Sequence, residues 1–260
     1  MSWSRYIRFR DDDGMLREGE PQVGSADELL TLLNTGELYA REISSNGLFE
    51  GKLEDRMFRV REVIGPLEPA DVPIIRNWAE HRPTTHRYSS SRRIVTGWDS
   101  SIPIPKIAQK DQMDFEVELA ILIGADGKDI PAENALDYVA GYLVANDVSA
   151  RAWQRDPHYA RECATVVLWE GIRWLCPGGP NDSFAQGAAD NLSLETTVNG
   201  TVCQQANTGD CVFGMREIVA FERPVGVIFG SANPQWLEDG DVVEVSISGI
   251  GSIRNRMNFL

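Results

Sequence analysis

The sequence predicts a mixed fold that is built mostly of β-strands, with few helices and a small N-terminal subdomain. Residues 114–123 alternate strictly between apolar and polar side chains, which is typical of a strand with two chemically different faces. Most regular segments of the second half are also strand-like, and Asn199-Gly200 is a favoured hairpin turn. Helical periodicity is confined to short stretches, so we expect a mostly β core.

The N-terminal elements are expected in the following order. Residues 5–25 predict one or two strands, broken by a turn at Asp13-Gly14. A short helix over Ala26–Leu33 is predicted to begin after Ser25, because a serine side chain can accept from the free amides of the first helical turn. The alternation over Arg56–Val63 then predicts another strand.

A proline-rich connector is predicted next, at Pro66, Pro69 and Pro73. We therefore place a boundary near residue 68, which gives a subdomain of residues 1–68 and a main domain of residues 69–260. Residues 84–93 have no clean period and predict a loop.

The main domain is expected to contain further strands and one helix. Its predicted elements are the strand over residues 114–123, a short helix over Ala132–Tyr138 after Pro131, a strand over Val139–Val148 that ends in Asn146-Asp147, and strands over Leu192–Val198, Val225–Phe229 and Val242–Ile247.

Composition excludes several functional classes. A formal net charge of −14 would repel a phosphate backbone, which argues against nucleic-acid binding. The apolar runs, such as Leu119–Ile123, are too short to span a bilayer, so no membrane partner is expected. No apolar segment of a secretory signal follows the N-terminus, and we expect a cytoplasmic protein.

The cysteines and histidines also argue against common metal sites. The four cysteines form no C-x-x-C pair, and a large chain without a secretory signal is expected to keep them reduced, which argues against structural zinc. The chain has three histidines, which exclude a histidine-rich site. The cysteines are Cys163, Cys176, Cys203 and Cys211, and the histidines are His81, His86 and His158.

Acidic residues on the alternating strand suggest a different kind of metal site. Glu116 and Glu118 are two residues apart on a strand, so their Cα atoms lie roughly 6.5–7 Å apart and their side chains point the same way. Asp147, from a neighbouring strand end, would complete an all-oxygen set that suits Mg²⁺, Ca²⁺ or Mn²⁺. A solvated strand face is the alternative. It fits less well because Ala120 and Leu122 share this face, and half-buried carboxylates repel one another unless a cation is present.

Two motifs of the main domain are especially specific when found together, Glu116-Val117-Glu118 and Asn146-Asp147-Val148-Ser149-Ala150-Arg151. They lie within a set of four segments, residues 114–124, 137–151, 199–213 and 236–255. In these segments the sequence resembles the fumarylacetoacetate hydrolase family, as a divergent member similar to fungal fumarylacetoacetate hydrolase domain-containing proteins. The resemblance as a whole extends over most of residues 56–260.

The resemblance implies a fold, a cofactor and a chemistry. It implies a mixed β-roll core, a homodimer and a small-molecule keto-acid substrate. Family members hydrolyse C–C bonds in acylpyruvates, or decarboxylate or tautomerise oxaloacetate-like diketo acids. Their Mg²⁺ or Ca²⁺ (or Mn²⁺) acts as a Lewis acid that stabilises an enolate. Carried over by position, the metal ligands are Glu116, Glu118 and Asp147.

The catalytic motifs depart from the family pattern. The histidine of the family's general-base pair corresponds to His81, but Thr84 occupies the position of its glutamate partner. Glu170 stands at a family lysine position, and Arg173 stands at an aspartate position. A Gly-Thr-Pro loop is also missing.

These departures cluster in residues 82–101, 159–176 and 222–232, which indicates either a remodelled active site or a gene model with altered exon joins. Two functions stay open. The chain is an active metal-dependent hydrolase, decarboxylase or tautomerase, or it is a catalytically impaired member that keeps metal binding and association surfaces.

Overall fold

The computed structural model describes residues 3–44, 51–65, 95–110, 112–152, 170–172, 176–177, 188–211, 214–221 and 236–260. Strands account for most of these residues, which confirms the predicted mostly β fold. In chain order the strands are β1 (Ile7–Arg10), β2 (Leu16–Pro21), β3 (Tyr39–Ser44), β4 (Lys52–Arg59), β5 (Glu62–Ile64), β6 (Val95–Gly97), β7 (Ser101–Ile104), β8 (Met113–Ile123), β9 (Val139–Ala150), β10 (Glu170–Ile172), β11 (Cys176–Pro177), β12 (Ser193–Val198), β13 (Thr201–Asn207), β14 (Val242–Ile247) and β15 (Gly251–Phe259).

The N-terminal strands form a five-stranded sheet in the order β4-β3-β2-β1-β5. The predicted turn is present between β1 and β2, where Gly14 has a φ of 74°. Helix α1 (Ala26–Thr35) lies between β2 and β3, and the Ser25 side chain accepts from the Glu28 amide as predicted. The helix ends two residues later than expected, because Gly36 adopts the left-handed conformation that closes its last turn.

The predicted strand over Arg56–Val63 is wrong as a single element. It divides into the end of β4 and the short strand β5. The Val60 amide donates to Leu38 O at 2.8 Å, and the Arg61 amide donates to Arg10 O at 2.9 Å. These two hydrogen bonds are made where the chain passes from β4, at one edge of the sheet, to β5, at the other edge. The strand is therefore interrupted there.

A second sheet has the order β11-β9-β8, and its long antiparallel pair β8–β9 carries the acidic residues. The predicted strand over residues 114–123 is confirmed. Strand β9 continues two residues beyond the predicted end, to Ala150, so Asp147 lies within the strand rather than at its end. The predicted helix over Ala132–Tyr138 has the expected bounds but is a 3₁₀-helix.

The C-terminal sheet has the order β13-β12-β14-β15-β7. The predicted strand over Val242–Ile247 is confirmed, and the strand predicted over Leu192–Val198 begins one residue later. The β12–β13 hairpin turns at Asn199 and Gly200, whose φ angles are 50° and 80°. Positive φ at both central residues is the requirement of the tight hairpin turn that this pair predicts.

Three smaller elements complete the description. Strands β6 and β10 pair in parallel, and a short helix, α2, spans Met215–Phe221. The proline connector, the boundary near residue 68, the loop over residues 84–93 and the strand over Val225–Phe229 lie outside the described residues. The division into residues 1–68 and 69–260 stays a prediction.

The two faces of β8 pack against two separate apolar clusters. Val117 belongs to the main cluster, and Phe115, Leu119 and Ile121 pack against it. On the opposite face, Ala120 and Leu122 pack against a second cluster. The second cluster consists of Trp3, Tyr6, Ile43 and Leu143.

These contacts confirm the predicted division of the strand into two faces. Ile123 is an exception, because it was predicted on the apolar side but is 51% exposed. A shift in the β8–β9 register between Leu122 and Ile123 ends the regular alternation there. One face of β8 therefore turns towards the main core, and its other face carries the acidic residues at one end and the second cluster at the other.

Candidate metal centre

The register of the β8–β9 pair brings the three predicted carboxylates together. Glu116 lies directly opposite Asp147, and Glu118 lies two residues further along β8. Because side chains alternate across a strand, Glu116 and Glu118 point to the same face, and the cross-strand partner of Glu116 points there as well. One carboxylate oxygen from each of the three residues lies within 4.8 Å of the others.

The cluster is shielded from solvent to different degrees. Asp147 is 1% exposed, whereas Glu116 and Glu118 are half-buried. Ionised carboxylates so close together and so poorly hydrated repel one another strongly. This arrangement fits a bound cation better than the solvated strand face that the sequence left as an alternative.

Arg151 is the main protein cation described at the cluster. Its Nε donates to Asp114 Oδ2 at 2.7 Å, and a terminal guanidinium nitrogen donates to Glu116 Oε1. The Arg151 side chain is only 3% exposed. The guanidinium therefore joins two carboxylates of β8 from a buried position just beyond the end of β9.

Ser149 makes a further contact within the cluster. Its hydroxyl donates to Asp147 Oδ1 at 2.7 Å. Asp147, Ser149 and Arg151 are spaced two residues apart, so the alternation of β9 directs the first two to the same face and Arg151 continues the series. This spacing was the available signal for Ser149 and Arg151, which the sequence analysis quoted in a motif without assigning them a role.

Burial and charge act in opposite directions on Glu116. Burial raises the pKa of Glu116 above its ordinary value, the positive charge of Arg151 lowers it, and the negative charge of Asp114 raises it further. For Arg151, burial alone would lower the pKa, but Glu116 and Asp114 raise it, so the guanidinium stays charged. At Glu116, burial thus raises the pKa by more than Arg151 lowers it, and another positive charge nearby would favour the ionised carboxylate.

The donor set fits a hard divalent cation. When all groups are ionised, the four carboxylates of Asp114, Glu116, Glu118 and Asp147 exceed the charge of Arg151 by three. A divalent ion would reduce this excess to one negative charge. Three carboxylate oxygens suit Mg²⁺, Mn²⁺ or Ca²⁺, whereas zinc sites in proteins use mainly cysteine and histidine.

The cluster is fixed to the C-terminal sheet from the other side of β8. The Val117 amide, between the two glutamates, donates to Gln204 Oε1 at 3.0 Å. The same oxygen accepts from Thr196 Oγ1 at 2.9 Å. At the start of β8, Met113 O accepts from the Leu237 amide at 2.9 Å. These contacts hold the backbone that positions Glu116 and Glu118.

The structure does not describe every residue that the sequence singled out. His81, Thr84 and Arg173 lie outside the described residues. Glu170 is described at backbone level, where it pairs with Val95. Within the described residues, neither Cys203 nor Cys211 forms a disulfide. Among the described residues, no helix has the length and apolar character needed to cross a membrane.

A groove of about 670 Å³ opens on a different part of the molecule, between the start of α1 and the C-terminal sheet. None of the four acidic residues lines it. Its lining residues include Arg5, Ser25, Glu195, Ser246 and Ser248. The Gly24 amide at the helix start already donates to Glu28 Oε2 at 2.6 Å. We therefore place the candidate site at the carboxylate cluster, where the chemistry is concentrated.

Comparisons with known proteins agree with the sequence motifs. The profile of the fumarylacetoacetate (FAA) hydrolase C-terminal domain matches residues 75–258. A fumarylacetoacetate hydrolase domain-containing protein 2 homolog from Dictyostelium discoideum is 30% identical over 229 residues, covering 75% of this chain and 74% of the relative. An uncharacterized protein from Archaeoglobus fulgidus is 35% identical over 170 residues, covering 62% of this chain and 64% of that relative.

A solved structure has the same fold along nearly the whole chain. The crystal structure of 2-hydroxyhepta-2,4-diene-1,7-dioate isomerase from Mycobacterium marinum superposes with a TM-score of 0.73. The match covers 98% of each chain at 24% identity. At this level of identity the comparison establishes a shared fold.

Proposed function

This chain belongs to the fumarylacetoacetate hydrolase family, and from that premise we propose that it is a divalent-metal-dependent enzyme acting on a 2-keto acid or a β-diketo acid. The observation that carries the proposal is the group of three carboxylate oxygens, from Glu116, Glu118 and Asp147, within 4.8 Å of one another. The family includes hydrolases and isomerases, so membership alone does not specify one reaction or one substrate.

Each residue of the cluster has a distinct part in this proposal. Glu116, Glu118 and Asp147 would hold the ion, which when bound would supply Lewis-acid polarisation of substrate oxygens. Arg151 holds Glu116 and Asp114 in place through its two donors. Ser149 fixes the orientation of Asp147. The β8–β9 pair thus presents a prearranged set of oxygen donors on two paired strands.

We propose tautomerisation or decarboxylation rather than C–C hydrolysis as the main reaction. Hydrolysis needs a base that activates water, and Thr84 replaces the glutamate that orients this base in the family. Tautomerisation requires less, because enolisation needs a polarised carbonyl and a proton acceptor. The similarity in fold to a hydroxydienedioate isomerase from Mycobacterium marinum is compatible with this choice.

A second candidate is a catalytically impaired member that keeps the metal and acts by association. The replacement of the family lysine by Glu170 favours it, because an acidic residue at a substrate wall repels a carboxylate substrate. The two candidates differ in whether any keto acid is turned over in the presence of metal.

The test is a turnover assay with the purified chain. Keto–enol exchange and decarboxylation of oxaloacetate, and cleavage of an acylpyruvate, would be followed with Mg²⁺, with Mn²⁺ and with chelator. We expect metal-dependent conversion of oxaloacetate that Asp147→Asn abolishes and that the exposed control Asp126→Asn retains. Metal binding without turnover of any of these acids would support the impaired member. Turnover that is unaffected by chelator would refute the metal-dependent proposal.

A further inference from the structure

We propose that Gln204 is a positioning residue for the metal centre: its side-chain oxygen fixes the peptide between Glu116 and Val117, so that the two glutamates of β8 converge on the ion. This inference rests on the proposed function, because it concerns the ion that the carboxylates would hold. It goes further in making the affinity for metal depend on a residue of a different sheet, which is neither a ligand nor part of the carboxylate cluster.

The first step of the argument is the open side of β8. Strand β9 lies along one side of β8, and within the described residues no strand lies along its other side. Backbone amides on the open side of an edge strand have no partner in the ladder. Val117 is buried, and a buried amide without an acceptor is unfavourable. Gln204 Oε1 supplies that acceptor, at 3.0 Å from the Val117 nitrogen.

The second step is the orientation of the Gln204 side chain. A backbone amide can only donate, so the oxygen of the Gln204 amide group must face Val117. The same oxygen accepts from Thr196 Oγ1 at 2.9 Å, and Thr196 is fully buried in β12. A carbonyl oxygen has two lone pairs, and both are thus engaged. The glutamine is therefore held by its own sheet while it holds the edge strand of another.

The third step is an irregularity in β13 that turns Gln204 inward. In a regular strand, residues two apart lie on the same face. Here Val202 pairs with Thr197, and after a shift in register Gln204 pairs with Thr196. These two partners are consecutive residues of β12 and point to opposite faces, so Val202 and Gln204 do so as well. Val202 is 49% exposed, whereas Gln204 reaches the strand that carries the acidic residues.

The fourth step connects this contact to the carboxylates. The Val117 nitrogen belongs to the planar peptide group that follows Glu116, so a hydrogen bond to it restricts the rotation of that plane. Glu116 directly precedes this plane, and Glu118 follows one residue later, so the directions of both side chains depend on it. Pairing with Asp147 holds Glu116 from the side of β9. The segment with the two glutamates is therefore held from both sides.

Isothermal titration calorimetry with MgCl₂, MnCl₂ and CaCl₂ tests the inference. Gln204→Met has a similar length but no acceptor oxygen, and it should weaken the binding of each ion that wild type binds about 10-fold, the lower end of the effect of losing a group that orients metal ligands. Gln204→Glu keeps an oxygen at the same place along the side chain and should bind with nearly the wild-type Kd.

The matched control is Gln205→Met, the same change at the next residue of β13. Gln205 is exposed, and its Nε2 donates to Glu195 Oε2 at 2.8 Å rather than to β8. This variant should keep the wild-type Kd for every ion.

Thermal melting in chelator separates positioning from stability. With calorimetry carried out well below the Tm of each variant, a change that only destabilises the fold lowers Tm and leaves Kd unchanged. If Gln204→Met does not fold, Thr196→Val decides, because it removes the donor that orients Gln204 and leaves the Val117 amide its acceptor. It should raise Kd by a smaller factor, and an unchanged Kd would overturn the inference.

Failure of the inference and failure of the proposed function are distinguishable. A wild-type Kd in Gln204→Met refutes the inference and leaves the metal-dependent function standing. Equal weakening by Gln204→Met and by either Gln204→Glu or Gln205→Met does the same, because the acceptor oxygen would then not be the cause. A folded wild-type chain that binds none of the three ions refutes both.

Discussion

Replacing Asp147 by asparagine separates the electrostatic role of this residue from its structural one. The asparagine has nearly the same shape and keeps an oxygen that can accept from Ser149, but it lacks the negative charge. Without metal, the excess negative charge of the cluster falls by one in a site where Asp147 is 1% exposed. We therefore expect metal-free Asp147→Asn to melt at or above the temperature of metal-free wild type.

With metal, the order should reverse. An ion present at about 100 times its Kd stabilises the folded state by about 2.7 kcal/mol when it binds that state alone. For a chain of 260 residues, this corresponds to a rise in Tm of roughly 5–11 °C. If loss of the ligand raises Kd about 100-fold, the stabilisation at the same ion concentration falls to about 0.4 kcal/mol, or roughly 1 °C.

The assay is thermal melting in chelator and in millimolar Mg²⁺, Ca²⁺ or Mn²⁺. Asp126→Asn is the matched control, since Asp126 is exposed in the connection after β8 and should leave the metal-dependent shift intact. A wild-type chain whose Tm does not respond to any of these ions would refute the metal site. A full shift retained by Asp147→Asn would show that Asp147 is not a ligand.

Three further predictions concern pH, catalysis and assembly. Because burial raises the folded-state pKa of Glu116 above its ordinary value near 4.5, its ionisation destabilises the metal-free fold. The stability that the protonated Glu116 contributes is fully present below that ordinary pKa and is lost as the pH rises through the folded-state pKa. In chelator, Glu116→Gln should therefore be more stable than wild type at pH 7, and the difference in Tm should shrink as the pH falls towards 5. A difference in Tm that does not change with pH would show that ionisation of Glu116 does not destabilise the fold. Thr84→Glu should raise acylpyruvate hydrolysis, by up to the roughly 10²–10⁴-fold that a general base contributes, if His81 lies where the family motif places it. Efficient wild-type hydrolysis that is unaffected by His81→Ala would point to another base. We also expect a homodimer, and light scattering at micromolar concentration that gives a monomer mass would count against it.

The carboxylate pair of β8 could be predicted from sequence because its geometry is local. Strict alternation places Glu116 and Glu118 on one face whatever the rest of the fold does. The position of Asp147 opposite Glu116 depends on the register of two strands, and neither strand specifies that register alone. The strand pattern offered Asp147 only as a carboxylate at a neighbouring strand end, and the motif resemblance assigned it as a ligand.

The partners of Arg151 could not be predicted, for a similar reason. Its partners, Asp114 and Glu116, precede it by 37 and 35 residues, so no local pattern connects them. The break between β4 and β5 was also missed, because Leu38 and Arg10 interrupt the strand from distant parts of the sequence. Local periodicity predicts which segments form strands and helices. Contacts between segments that are distant in sequence determine where these elements end and which residues they contact.

The face of β8 that carries the acidic residues has one apolar end and one charged end. Ala120 and Leu122 are covered by the second cluster, which includes Trp3 and Tyr6 from the beginning of the chain. Ala120 is only two residues from Glu118, a separation of roughly 6.5–7 Å along the strand. Apolar side chains at that distance keep polarisable water away and lower the local dielectric constant, which strengthens both the repulsion among the carboxylates and their attraction for a cation. By covering this end of the strand face, Trp3 and Tyr6 would therefore strengthen the attraction of the carboxylates for a cation.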